Sequence, residues 1–192
     1  DMAAAPGSKT TQIASMMNNN GIMVANDNSY ERIKALSINL QRCGVANTVI
    51  TLMHGKGIRH KFDKILLDAP CSGTGAIRKS IRTIETWNPY AIKRLSGFQK
   101  QLAISAFDNL NDNGLLVYST CSLEPEENEE VVDFLLSKRD CKVEDIRLDI
   151  KKSKAVNEFG GKSYSDEVKR CLRIWPQDND TEGFFIAKIR KH

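Results

Sequence analysis

Short apolar runs alternate along the chain with longer segments in which apolar residues recur every third or fourth position. An apolar run that is rich in β-branched or aliphatic residues predicts a strand. The predicted strands cover residues 22–25, 48–52, 62–67, 115–119 and 184–189.

Helices are predicted between these strands, over residues 10–17, 30–42, 90–110 and 126–137. Ser29 can cap the second helix and Gly44 can end it, whereas Asn113-Gly114 is expected to end the third. Four residues are expected to supply much of the buried surface of the second helix: Ile33, Leu36, Ile38 and Leu40.

Alternating strands and helices predict an α/β domain with a mostly parallel, twisted sheet and helices on both of its faces. Ligands of such sheets bind beyond the carboxyl ends of the strands. Asp27 follows the first predicted strand, residues 68–71 (Asp-Ala-Pro-Cys) follow the third, and residues 119–122 (Ser-Thr-Cys-Ser) lie at the end of the fourth. We therefore expect these three groups to meet at one edge of the sheet.

The chain has 192 residues, of which 41% are hydrophobic and 27% are charged, and this fits one globular domain. No apolar run approaches the ~20 residues of a membrane-spanning helix, and the first residues lack the pattern of a signal peptide. Five cysteines without a CxxC pair fit a reducing compartment, and three histidines without an HxxxH pair predict no metal site. We expect a monomeric, cytoplasmic protein.

Charge is distributed unevenly along the chain. Residues 59–100 contain nine basic and three acidic residues, whereas residues 124–149 contain ten acidic and four basic residues. A basic segment can bind a polyanionic substrate. The alternative is that both segments are solvated faces of surface helices.

Residues 1–10 (Asp-Met-Ala-Ala-Ala-Pro-Gly-Ser-Lys-Thr) are a loop of small residues that leads into the first predicted helix. Small side chains let a ligand approach the backbone, and a helix N-terminus offers free N–H groups. The loop is neither a phosphate-binding P-loop nor a GxGxxG motif. Asp27 can accept hydrogen bonds from the ribose hydroxyls of a nucleoside-type cofactor, or it can cap a helix instead.

Two of the five cysteines are at predicted strand ends, where ligands bind. Cys71 follows Pro70, and Cys121 follows the fourth strand. A thiol near a helix N-terminus can have a lowered pKa and become a nucleophile, and from the residues alone either thiol can take this role. The other three, Cys43, Cys141 and Cys171, are expected to be small buried residues.

Four motifs in this order resemble those of the RNA cytosine-C5 methyltransferases, the family that includes the bacterial 16S rRNA enzyme and the NOL1/NOP2/Sun proteins. They are residues 1–10, residues 67–75 (Leu-Asp-Ala-Pro-Cys-Ser-Gly-Thr-Gly), residues 118–122 (Tyr-Ser-Thr-Cys-Ser) and residues 183–187 (Gly-Phe-Phe-Ile-Ala). Residues 122–129 (Ser-Leu-Glu-Pro-Glu-Glu-Asn-Glu) are most similar to the archaeal tRNA branch.

The resemblance implies a Rossmann-like class I methyltransferase that uses S-adenosyl-L-methionine to methylate C5 of cytosine in RNA, with tRNA favoured and rRNA as the alternative. It implies that Cys121 is the nucleophile, that Cys71 helps to release the product, and that Asp68 contacts the N3/N4 edge of the cytosine. The residues implied to hold the cofactor are Ala3, Ala4, Ala5, Pro6, Gly7, Ser8, Lys9, Asp27, Arg32 and Asp68.

The chemistry of this reaction explains why two thiols are needed. C5 of cytosine is a poor nucleophile, and addition of a thiolate to C6 makes C5 reactive enough to attack a methyl donor. A donor at N3, such as a protonated Asp68, stabilises the charge that develops there. The C5 proton must then leave and the C6–S bond must break.

Some residues depart from the family pattern. Ser8 replaces a second glycine and is expected to be tolerated. His54-Gly55 replaces an Asp-Gly that contacts adenine in many members, and residues 178–181, before the Gly-Phe-Phe segment, contain no histidine where the family often has one. Because the chain begins at the first cofactor motif, residues 1–192 are expected to be a catalytic domain without its first strand and N-terminal RNA-binding region.

Two other classes of protein compete with this interpretation. A non-catalytic RNA-binding scaffold could keep the fold, but both cysteines and Asp68 are present. A small-molecule or DNA methyltransferase is disfavoured by the resemblance of the Ser-Thr-Cys-Ser motif at residues 119–122.

Overall fold

A computed structural model describes residues 1–192, which form six α-helices and ten strands. The helices are α1 (Ser8–Met16), α2 (Tyr30–Arg42), α3 (Arg82–Glu85), α4 (Pro89–Asp108), α5 (Glu129–Lys138) and α6 (Pro176–Asn179). The strands are β1 (Met23–Asp27), β2 (Thr48–Leu52), β3 (Phe62–Asp68), β4 (Leu110–Thr120), β5 (Cys141–Glu144), β6 (Ser153–Lys154), β7 (Glu158–Phe159), β8 (Lys162–Ser163), β9 (Leu172–Ile174) and β10 (Phe184–Lys191).

Two parallel strand pairs carry the strand ends of interest. β1 pairs with β2 in a two-stranded sheet. β3 pairs with β4 at one side of a six-stranded sheet, whose strand order is β3-β4-β10-β9-β6. The sixth strand, β5, also pairs with β10. All other pairs in that sheet are antiparallel. The α/β organisation is as expected, but the sheet is mixed rather than mostly parallel, because the strands that the chain forms after α5 pair antiparallel.

The first four residues lie between the two sheets. The Met2 amide donates to the Leu66 carbonyl of β3 (2.9 Å), and the Ala4 amide donates to the Asn26 carbonyl of β1 (2.7 Å). Both acceptors are close to the carboxyl ends of their strands. The loop that follows Ala4 therefore lies at the same edge of both sheets.

Helix α2 packs under this loop. Its N-cap is Ser29, whose side chain accepts a hydrogen bond from the Arg32 amide, as expected. The expectation that Ile38 is buried is wrong, since its side chain is 63% exposed; residues two positions apart on a helix do not share a face. The small core below the loop consists of Ala4, Ala5, Ala25, Leu36 and Leu40.

Helix α4 ends earlier than the sequence indicates. Its last residue is Asp108, and β4 begins at Leu110, so Asn113-Gly114 lies inside a strand. The φ angle of Asn113 is 60°, and a Cβ atom on Gly114 would lie 2.7 Å from the Asn111 carbonyl oxygen. These residues form an irregular turn within β4. Helix α5 likewise begins at Glu129, three residues later than predicted.

The three cysteines away from the strand ends differ in burial. Cys171 is buried and Cys141 is half-buried, in line with the expectation, but Cys43 is exposed beyond the end of α2. The expectation is therefore wrong for Cys43, because the chain leaves α2 at this position with the side chain in solvent.

Candidate active site

Asp27 joins the first loop to β1 and α2. Its buried carboxylate accepts hydrogen bonds from the amides of Ala5 (3.2 Å) and Ser29 (3.1 Å) and lies 3.2 Å from the Arg32 guanidinium. Arg32 also donates to the Ala5 carbonyl. A carboxylate has about four acceptor positions, so these two hydrogen bonds and the ion pair with Arg32 leave room for one more partner. Asp27 thus has a structural role whether or not it also binds a ligand.

The end of the loop packs tightly against α2. Gly7 has a φ angle of 108°, and a Cβ atom there would lie 2.9 Å from the Leu36 side chain, so glycine is required. Ser8 begins α1 and is exposed, which agrees with the expected tolerance of serine. The Thr11 amide makes the first backbone bond of the helix, to Gly7 (2.8 Å). The earlier amides of this turn are available to an anionic group.

Asp68, at the end of β3, connects the loop to β4. One oxygen of its carboxylate accepts from the Lys9 ammonium (2.7 Å), and the other accepts from the Ser119 hydroxyl (2.7 Å). Lys9 also lies 5.4 Å from the centre of the Phe184 ring. Asp68 therefore accepts hydrogen bonds in this structure, whereas the expected role at N3 requires a donor.

The two cysteines at the strand ends face each other. The Sγ atoms of Cys71 and Cys121 are 3.3 Å apart, within hydrogen-bond distance for thiols. The Gly75 amide donates to the Cys121 carbonyl (2.8 Å), and a Cβ atom on Gly75 would lie 2.7 Å from that oxygen. Glycine at this position lets the two cysteine-bearing loops approach each other closely.

The surroundings of the two thiols differ in charge. A hydrogen bond donated by Cys71 lowers the pKa of Cys121 to about 7, against burial and the negative charge of Asp68, which raise it; the positive charge of Lys9 adds to the lowering. The pKa of Cys71 is raised well above its ordinary value by this hydrogen bond, by burial and by the charges of Cys121 and Glu127. Cys121 is therefore the thiol that ionises first, and Cys71 is its proton-bearing partner.

Alkylation rates should report this difference. We expect the reaction of Cys121 with iodoacetamide to rise with pH through about 7, because the thiolate is the reactive form. Cys141 is a suitable internal reference, since burial raises its pKa to about 11. Mass spectrometry of the modified peptides measures both rates. In Cys71→Ala the midpoint for Cys121 should move to higher pH, and an unchanged midpoint would contradict the proposed donor.

Glu127 is fully buried and links the loop that follows Cys71 to the loop that follows Cys121. One carboxylate oxygen accepts from the Ser72 amide (3.0 Å) and from the Gln99 side chain (2.7 Å). The other accepts from the Ser122 hydroxyl (2.9 Å). Glu127 therefore sets the separation of the residues that follow Cys71 and Cys121.

A second buried carboxylate supports the loop after Cys121. Arg173 of β9 forms a bidentate ion pair with Glu129 (3.0 and 2.6 Å), and both side chains are almost fully buried. Arg173 also donates to the Leu123 carbonyl (2.7 Å). Sequence reasoning missed Glu127 and Glu129 because it considered them only as members of an acidic segment and singled out neither. Their position directly after the Cys121 motif is the signal that could have identified them.

His54 and the alanines and proline of the first loop were also singled out in the sequence. His54 is exposed and its ring lies edge-on to Phe98, with centroids 6.0 Å apart. In the first loop, Ala4 and Ala5 are buried, whereas Pro6 is exposed.

No group of three or more His, Cys, Asp or Glu side chains is arranged to hold a metal ion. None of the helices combines the length and apolar character needed to cross a bilayer.

The arrangement is that of a Rossmann-like class I methyltransferase, as comparison with a solved structure confirms. The structure of NSun6 from Pyrococcus horikoshii with SFG superposes with a TM-score of 0.85 at 36% identity, covering 100% of this chain and 47% of that one. The sequence profile of the family described as 16S rRNA methyltransferase RsmB/F matches residues 1–190. The chain belongs to this family, and the resemblance seen in the sequence is confirmed.

Two relatives of known name differ in their RNA substrate. The tRNA (cytosine(49)-C(5))-methyltransferase of Pyrococcus abyssi is 50% identical over 194 residues, covering 100% of this chain and 62% of the relative. The ribosomal RNA small subunit methyltransferase F of Psychromonas ingrahamii is 43% identical over 200 residues, covering 100% of this chain and 39% of the relative. The chain thus spans less than two thirds of the length of each.

Proposed function

We propose that this protein transfers a methyl group from S-adenosyl-L-methionine to C5 of a cytosine in RNA through a covalent bond between Cys121 and C6. The observation that carries the proposal is the thiol pair, 3.3 Å apart, beside the linked side chains of Lys9 and Asp68. Membership in the RsmB/F family and relatives named as tRNA and rRNA methyltransferases support the reaction class.

The residues around the first loop fit S-adenosyl-L-methionine. Free amides at the start of α1 suit its carboxylate, and the remaining acceptor position of Asp27 suits a ribose hydroxyl. Residues 3–9 contribute backbone groups and the Lys9 side chain to this site, and the ion pair with Arg32 holds Asp27 in position. A relative solved with SFG, an analogue of this cofactor, supports the assignment. When bound, the cofactor supplies an electrophilic methyl group.

In the proposed reaction, the thiolate of Cys121 adds to C6 and its S–C6 bond forms as a proton is taken up at N3. Asp68 accepts from the N4 amine of cytosine, and the Lys9 ammonium supplies the proton at N3 by way of Asp68 and takes it back when the adduct collapses. The electron density at C5 would then bond to the methyl carbon while that carbon's bond to the donor sulfur breaks, so that the sulfur leaves as a neutral thioether. The low pKa of Cys121 makes its thiolate available near neutral pH.

Cys71 completes the reaction. Its pKa is raised by its hydrogen bond to Cys121, by burial and by the charge of Cys121. The hydrogen bond and the charge end once the Cys121 sulfur is bonded to C6, whereas the burial remains, so the Cys71 thiol becomes easier to deprotonate than before. It then takes the proton from C5, the electrons of the C5–H bond form the C5–C6 double bond, and the S–C6 bond breaks.

We propose tRNA as the favoured substrate and rRNA as the alternative, because the archaeal relative that is 50% identical is named for tRNA. A monomer acting in the cytoplasm is the simplest setting for either. The test is incubation of the full chain with tRNA and rRNA transcripts and isotopically labelled cofactor, followed by mass spectrometry of the nucleosides. Labelled 5-methylcytidine is the expected product, and label in any other nucleoside alone would overturn the proposal.

Replacement of Asp27 should weaken cofactor binding. In Asp27→Ala one charge-assisted contact is lost, and we expect the Kd measured by calorimetry to rise by roughly 10–150-fold. Asp27→Asn is the matched control, because it keeps the size of the side chain and an acceptor for one of the Ala5 and Ser29 amides while removing the charge. Unchanged affinity in both variants would exclude Asp27 from the cofactor site.

A further inference from the structure

The segment of residues 79–94 exposes an unusual number of large apolar side chains. Ile81 is 74% exposed, Ile84 55%, Trp87 53% and Tyr90 85%. The segment follows the short turn after Cys71 and includes α3 and the start of α4. Four large apolar side chains so close together on a surface indicate a binding surface.

The segment is attached to the candidate active site. The indole N–H of Trp87 donates to the carboxylate of Glu124 (3.1 Å), three residues after Cys121. On the other side, residues 74–76 form a turn whose Gly75 amide bonds to the Cys121 carbonyl (2.8 Å). A chain molecule bound at Cys121 can therefore extend from that site onto residues 79–94.

The charge of the segment is strongly positive. Arg82, Lys93 and Arg94 are exposed and take part in none of the protein's salt bridges. Lys79 has only a long contact with Glu182 (3.5 Å), and Glu85 is the one acidic residue of the segment. Free cations interspersed with exposed aromatic rings are the pattern of a surface that binds single-stranded nucleic acid.

We infer that residues 79–94 bind the unpaired nucleotides that flank the target cytosine, with Trp87 and Tyr90 stacking on bases and Arg82, Lys93 and Arg94 contacting phosphates. The inference rests on the proposed function, because it takes the target to be a cytosine in RNA. A cytosine must leave its stack before Cys121 can reach C6, and stacking of its neighbours on this surface stabilises that opened strand. An apolar protein segment as occupant would leave the three free cations unmatched.

Stacking and phosphate contacts can be separated experimentally. In Trp87→Leu the Kd for a single-stranded RNA containing the target should rise roughly 5–150-fold, with the salt dependence of binding unchanged. In Trp87→Phe, which loses the bond to Glu124 but keeps an aromatic ring, most of the affinity should remain. In Lys93→Gln and Arg94→Gln the log–log salt slope should fall by about 0.7 per residue. If Trp87→Leu and Trp87→Phe bind equally well, stacking at this residue is excluded.

Photocrosslinking locates the contact directly. RNA that carries 4-thiouridine next to the target cytosine is bound to the full chain, and the complex is irradiated. The protein is then digested with trypsin. The adduct is expected on residues 83–93, a tryptic peptide that holds both Trp87 and Tyr90. If the wild-type chain makes 5-methylcytidine but no adduct forms on this peptide, the inference is wrong and the proposed function stands. If no 5-methylcytidine forms in any RNA, the proposed function itself fails.

Discussion

Replacement of Cys71 by alanine is expected to leave the protein covalently attached to its RNA. Cys121 can still add to C6 and the methyl group can still be transferred, but no thiol is placed to take the C5 proton. Loss of a general base slows such a step by about 10²–10⁴-fold. The accumulated conjugate should resist denaturing electrophoresis and carry the label of the methyl group.

Replacement of Cys121 by alanine should have the larger effect on turnover. Without a nucleophile no bond to C6 forms, and the rate should fall by roughly 10⁴-fold or more, with no conjugate in the gel. The double variant should behave like Cys121→Ala. Cys43→Ala is the matched control, since this cysteine is exposed and lies beyond the end of α2.

The opposite pattern would reverse the two roles. A conjugate that builds up in Cys121→Ala and is missing in Cys71→Ala would make Cys71 the nucleophile. Normal turnover in both variants would make both thiols structural. The rate of wild-type methylation should also increase as pH rises through about 7, because the Cys121 pKa is lowered to that range and the thiolate is the reacting form.

Replacement of Arg173 by methionine should destabilise the protein strongly. The Glu129 carboxylate is fully buried, and its one salt bridge is with Arg173. Removal of one partner of a buried ion pair costs about 3–5 kcal/mol, and we expect a loss of this size in the free energy of unfolding measured with urea. The Leu123 carbonyl also loses its donor, so the loop of Cys121 should become less ordered.

A second variant distinguishes lost pairing from lost packing. In Arg173→Met/Glu129→Gln the buried negative charge is removed, while the amide oxygen can still accept from the Val156 amide, as Glu129 does at 2.9 Å. A large part of the stability should return. If the single variant loses less than about 1 kcal/mol, or the double variant is no more stable than the single one, the ion pair does not stabilise the fold as predicted.

Local pattern was sufficient for most elements and for the main chemical groups. The strand at residues 48–52 has the same bounds in the structure, and the Ser29 cap forms as expected, because both depend on residues close in sequence. The errors fall where distant residues intervene. Asn113-Gly114 has the composition of a helix end, but in the sheet it forms a turn opposite the register shift of β3.

The family, the order of the motifs and the candidate residues could be recognised without a structure, because each motif is a contiguous stretch whose residue types have a distinct chemistry. The candidate residues are Asp27, Asp68, Cys71 and Cys121. The sequence left open which thiol ionises first. That was decided by tertiary structure, since the hydrogen bond between the two sulfurs and the nearness of Lys9 to Cys121 and of Glu127 to Cys71 join residues far apart in the chain.

The same holds for the acidic segment after Cys121. In sequence Glu127 and Glu129 are two of many carboxylates, whereas in the fold both are buried, one between the cysteine loops and the other against Arg173. Burial raises the free-energy cost of an unpaired charge, so whether a glutamate is a solvated surface residue or a support of the active site depends on which partners the fold brings to it. Only the tertiary structure supplies those partners.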